Sequence, residues 1–138
     1  MRKYWIGLAV GVAAMATVSL AAAQDKVPLP QEAHINDELI AGAAGDVLRN
    51  TCPAISARML VVMGKLLDLK SYAEGKGYTE AEVKLFLKDP VQKARVKAAA
   101  ADYLHNAGAV DGNADSFCQV GRDEIAKGTL LGSLIRIE

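Results

Sequence analysis

Few residues in this chain combine a reactive type with a telling spacing. Cys52, Cys118, His34 and His105 could nominally form a Cys2His2 zinc set. Zinc sites usually draw their ligands from pairs only a few residues apart, and no two of these four are so close. With two cysteines there is also no C-x-x-C and hence no dithiol motif for redox catalysis. What remains, provided the chain is exported, is a disulfide between Cys52 and Cys118, the single pairing that two cysteines allow. Closing a loop of about 67 residues stabilises by roughly 4 kcal/mol on the chain-entropy account. No metal and no cofactor is expected.

A serine or cysteine nucleophile would need a base and an orienting acid, and neither G-x-S-x-G nor a cysteine-protease signature occurs. The carboxylate pairs Glu80/Glu82 and Asp123/Glu124 read as helix-start and surface charges, the latter near Lys127. Gly108, Gly112 and Gly121 lack the spacing of a phosphate loop or dinucleotide fingerprint. Arg49, Arg58 and Arg122 lie three, six and four residues from the nearer cysteine. A closed bridge would gather them into a candidate surface for an anionic ligand or partner; the plainer reading is surface cations pairing with Asp46 and Asp123.

The chain carries 16 Lys plus Arg and 16 Asp plus Glu in 138 residues. Arg2 and Lys3, the uncharged run from Tyr4 to Leu20 and then Ala21, Ala22 and Ala23 predict a secretory signal over residues 1–23. An uncleaved anchor is the competing reading, because Tyr4 to Ala23 has the length of a membrane span. Removing Arg2 and Lys3 lowers the basic count from 16 to 14 against 16 acids, leaving the mature chain near −2. Such a balance disfavours nucleic acid, and no Lys/Arg-rich amphipathic stretch suits an anionic membrane surface.

The elements that must position these residues are predicted to be helices. Residues 24–35, with Pro28 and Pro30, read as an extended N-terminal arm, and residues 36–138 as one helical domain. Asn36 is a candidate cap for a first helix to about Asn50, with Ala41, Gly42 and Gly45 thinning one face. The stretch from Cys52 to Lys76 reads as the central helix. Ile55, Met59, Val62, Met63, Leu66, Leu69 and Ala73 recur at helical spacing, and Leu60 and Leu67 widen the apolar arc. So wide a face is expected to need neighbours on more than one side.

Thr79-Glu80-Ala81-Glu82 is a capping box for a short third helix, and Asp89-Pro90 ends it and starts a fourth. The fourth helix is expected to bury Val91, Ala94, Ala98, Ala101 and His105. A fifth, capped by Asp115 or Ser116, turns Cys118 inward and stops at Gly128. Thr129 to Ile137 is apolar enough to pack back as one or two helical turns, with a short strand the less favoured alternative. The expectation is an all-α compact bundle of about five helices with one disulfide.

The runs HINDELIAGAAGDVLRNTCPAISARML, GYTEAEVKLFLKDPVQKARVKAAA and FCQVGRDEIAKGTLLGSLIR resemble, in that order, a family of small exported alphaproteobacterial proteins catalogued only as a domain of unknown function. The similarity runs from His34 to Arg136 and includes both cysteines. The resemblance implies no activity. Some members carry names borrowed from a respiratory NADH dehydrogenase subunit, which implies an accessory role beside that enzyme as one alternative. An iron–sulfur subunit would need four cluster ligands, usually cysteines, and this chain has two.

With no catalytic motif in view, the expected class is a non-enzymatic periplasmic or secreted helical protein that binds a protein partner or assembly, without stable membrane insertion once the signal is removed. An acid- or stress-type periplasmic chaperone is the alternative, by analogy of size and cysteine count.

Overall fold

The computed structural model describes residues 26–138; the expected signal, and Gln24 and Asp25 after it, lie outside the described residues. The described residues form six α-helices and one two-stranded ribbon.

The axis of the fold is α1 (Ala33–Thr51), on which the later helices α2, α4, α5 and α6 all pack. Ala44 and Leu48 on α1 are fully buried. The helix begins earlier than Asn36. Glu32 is its cap, its carboxylate accepting the Ile35 N–H at 2.7 Å. Asn36 is buried one turn in, where its side-chain amide donates to the Leu29 and Glu32 carbonyls and its oxygen accepts from Arg95. The segment before α1 is a short 3-10 turn, Leu29–Gln31, that buries Leu29. Proline rings preset its backbone angles, and Asn36 holds it against α1.

Pro53 disfavours helical backbone at the residue before it, and Cys52 is extended with φ −103° and ψ 113°. The chain therefore leaves α1 as a strand, β1 (Ile55–Ala57), where the sequence predicted helix. It pairs antiparallel with β2 (Ile135–Ile137), Ile55 opposite Ile137 and Ala57 opposite Ile135. Only then does α2 (Met59–Gly75) start, and it lies at the periphery with Ala73 its one buried residue. The expectation of a central helix from Cys52 to Lys76 is thus corrected: α1 takes that place.

Local chemistry sets the next boundaries where expected. Thr79 and Glu82 close a capping box around α3 (Glu80–Lys88), and Asp89 caps α4 (Pro90–Asn106) by accepting the Val91 and Gln92 N–H groups. The buried face of α4 is not the expected one. Ala100 and Leu104 face α1, whereas Val91, Ala94, Ala98 and His105 are exposed. Alanine occurs all round this helix, so its spacing does not single out a face, and Leu104 decides the orientation.

Asn113 caps α5 (Ala114–Lys127), which turns Phe117, Cys118, Val120 and Gly121 inward; Gly128 ends it in the left-handed region at φ +65°. A last short helix, α6 (Leu130–Leu134), runs directly into β2, so the C-terminal stretch contains both a helical turn and a strand. Cys52 and Cys118 are joined, with Cα atoms 5.2 Å apart across a sequence separation of 66. The bridge fastens the end of α1 to the first half of α5. The chain is accordingly an all-α, compact bundle with one disulfide.

Candidate functional site

The three arginines expected to form a surface around the disulfide engage different neighbours. Arg49, in the last turn of α1, is ion-paired with Asp46 at 2.6 Å. Arg58, just before α2, reaches the Ser133 carbonyl at 3.4 Å, and Arg122 donates to Gln119 on its own helix. Each answers to a different neighbour. The sulfurs beneath are enclosed, Cys52 completely and Cys118 nearly so.

The remaining titratable groups are mostly engaged in holding elements together. Glu124 was expected on the surface and is 3% exposed. Its carboxylate accepts hydrogen bonds from the Tyr103 hydroxyl at 2.7 Å and from Thr129, linking α4, α5 and the start of α6. Burial, followed by this carboxylate, raises the Tyr103 phenol above its ordinary range. His105 pairs with Asp111 at 3.0 Å in the loop after α4. Among the described residues no group of three or more His, Cys, Asp or Glu is placed to hold a metal ion, and no helix is long and apolar enough to cross a membrane.

One polar cluster lay beyond sequence reasoning. Tyr72 of α2 donates to Glu32 at 2.7 Å, and His34 stacks edge-on against the Tyr72 ring with centroids 4.4 Å apart. The Glu32 hydrogen bond raises the Tyr72 phenol. Burial pushes Glu32 up, but the Ile35 amide and the Tyr72 hydroxyl outweigh it, so that carboxyl lies below its ordinary value. Close by, Lys26 contacts both Glu82 and the Gly77 carbonyl, and the Tyr78 hydroxyl donates to Val27. Together these contacts fasten the arm across the α2–α3 corner.

Beside that corner is the largest anomaly of the surface. Leu60 is 87% exposed, Leu67 66%, and Met59, Met63 and Leu66 each 57%. All five fall within about a third of the circumference of α2, a continuous apolar face directed away from α1. Monomeric proteins scatter such residues singly; contiguous ones mark interaction sites.

Along the same helix runs a groove of about 250 Å³, floored by Ile35 and Leu39 of α1 and walled by Leu66, Leu69, Val83 and Leu87. Lys70 with Glu74 and Lys84 with Glu80 stand at its rim as ion pairs. Exposed ridge and open groove together form a surface that can hold another apolar chain segment. The apolar spacing on α2 was the signal for this site, taken at the sequence level for a core stripe.

No curated protein and no solved structure matched the chain. A family model did, over residues 27–136, which is nearly all of the described chain. The chain belongs to a family of unknown function (DUF5333).

Proposed function

We propose that this is an exported, non-enzymatic helical protein whose task is to bind a protein partner through the apolar face of α2 and the groove beside it. The observation that carries this reading is the exposure of Met59, Leu60, Met63, Leu66 and Leu67 on one side of a helix that buries only Ala73. An apolar helix face left to water favours association, because covering it releases hydration at roughly 25 cal/mol per Å². The disulfide agrees with residence outside the cytoplasm, where such bonds persist, and the uncharged run after Lys3 agrees with export. Engagement of Glu82, Glu124 and Arg49 in caps and pairs supports a binding role over catalysis.

The test is substitution on the exposed face. Leu60→Glu together with Leu67→Glu is expected to leave the circular dichroism spectrum and melting temperature unchanged and to abolish retention of the partner in affinity capture from cells. Unchanged retention by the doubly substituted protein would refute the proposal.

A second reading rests on the depressed carboxylates of the arm. Glu32 and Glu82 hold the N-terminal segment beside the groove, so acid would loosen it and widen the apolar surface, as an acid-stress chaperone requires. Suppression of client aggregation at about pH 3, absent at pH 7, would favour this reading over a fixed binding module.

A further inference from the structure

We infer that Met59 and Met63 form a reversible oxidation site: conversion of both thioethers to sulfoxides by a peroxide makes the outer face of α2 polar and weakens docking there. This deepens the docking reading and rests on it. Met63 is the centre of that face. Its helical neighbours at three and four residues are Met59 and Leu60 on one side and Leu66 and Leu67 on the other, and these are the other four exposed apolar residues of the face. Met59 stands one turn before Met63, and each is 57% exposed.

These two are also the sulfur atoms that an oxidant can reach among the described residues. The chain has four methionines and two cysteines; Met1 and Met15 lie in the expected signal. Cys52 and Cys118 are joined to each other and enclosed, so neither offers a thiolate. The buried apolar residues are Leu, Ile, Val, Ala, Phe, Tyr and the bridged cysteines, with no methionine among them. Methionine, a flexible filler of cores, is thus found in the described residues only where water reaches it.

The chemistry needs one co-reactant in each direction. A sulfur lone pair attacks one oxygen of hydrogen peroxide and the O–O bond breaks; sulfur loses two electrons, and the peroxide is reduced to water. In the reverse step the sulfoxide oxygen leaves as water, while two thiols of a methionine sulfoxide reductase supply two electrons and two protons and become a disulfide. The sulfoxide is a polar acceptor that must shed its water before an apolar segment can cover it, a cost the thioether does not carry. At Met63 that oxygen would stand among four apolar side chains of its own face.

The test exposes the purified full chain to graded hydrogen peroxide, with N-acetylmethionine in the same tube as the standard of an open thioether. Trypsin cuts after Arg58 and Lys65 and releases both methionines in one peptide, 59–65, whose mass counts the oxygens gained. Both sulfurs are expected to oxidise within about tenfold of the standard's rate while the Cys52–Cys118 bridge stays intact. The oxidised protein is expected to elute earlier from a phenyl column and to retain at least about fivefold less partner in affinity capture. Treatment with methionine sulfoxide reductases is expected to restore elution and retention. Met59→Leu with Met63→Leu is expected to give the same elution and retention after peroxide as before it.

Sulfurs that resist peroxide more than about tenfold relative to the standard would overturn the site. Two oxygens gained with elution and retention unchanged would overturn the switch and leave the docking reading standing. An equal loss of retention in the doubly substituted protein would place the damage elsewhere and overturn the inference. Retention by the untreated protein that ignores Leu60→Glu with Leu67→Glu removes the docking reading, and the switch with it.

Discussion

The Lys26 ammonium lies 2.6 Å from a carboxylate oxygen of Glu82, so the first described residue of the chain is tied to the capping box that opens α3. That ammonium, and then the Thr79 amide and hydroxyl, hold the Glu82 carboxyl down to about 2. A carboxyl whose folded value lies below its ordinary 4.5 stabilises the fold above pH 4.5 and loses that contribution as pH falls through about 2. Hydrogen-exchange protection of the Gln31 and Ile35 amides is therefore expected to fall across this window before the core amides respond. Lys26→Met should move the Glu82 titration, followed by carboxyl NMR, back toward 4.5.

Replacing both Cys52 and Cys118 by Ala removes a bridge spanning 66 residues and is expected to lower stability by about 4 kcal/mol on the chain-entropy account, seen as a lower denaturant midpoint. Both sulfurs are enclosed, so reducing agent alone should act slowly on the native protein and quickly in denaturant.

Gly132 is required by its neighbour. A Cβ at this position would stand 2.1 Å from the Glu124 carbonyl oxygen, and backbone cannot yield as a side chain can. Gly132→Ala is expected to destabilise by about 3 kcal/mol. At Gly121 the clash would be with the tip of the Ile55 side chain, which can rotate, so Gly121→Ala should be milder. Thermal melts of the two variants give the order.

Tyr103→Phe leaves the buried Glu124 carboxylate with one hydroxyl donor fewer and is expected to destabilise by about 1–3 kcal/mol. Tyr103→Phe combined with Glu124→Leu should recover part of that loss, because the uncompensated charge goes with its partner. Urea unfolding of the single and double variants measures the difference.

The starts of α3 and α4 and the end of α5 were legible because capping is decided within one turn, whereas the starts of α1, α2 and α5 were not, their caps being Glu32, Arg58 and Asn113. Thr79 with Glu82, Asp89 with Pro90, and Gly128 each stand where their chemistry places them. The disulfide was legible because two cysteines allow one partner. The role of α2 was not, since periodicity reports which residues share a face and not whether anything covers it. Met59, Met63 and Leu66 have the spacing of a core stripe and are exposed.

The three-residue strands β1 and β2 are too short to display a period. Glu32 and Tyr72 meet across 40 residues, which no local pattern announces. Of the expected binding surface, Arg49, Arg58 and Arg122 engage separate neighbours, and Arg58 alone borders the apolar face. The site was therefore visible as apolar residues and misplaced as interior.

The central claim is that the outer face of α2 is covered in the cell by another polypeptide. The most direct test is a photo-crosslinking amino acid placed at Leu67, 66% exposed on that face, with Val110, 57% exposed in the loop after α4, as the control position. Irradiation of living cells expressing the full chain is expected to yield one discrete adduct from position 67 and none from position 110. No adduct from position 67, or equal labelling at both, would contradict the account.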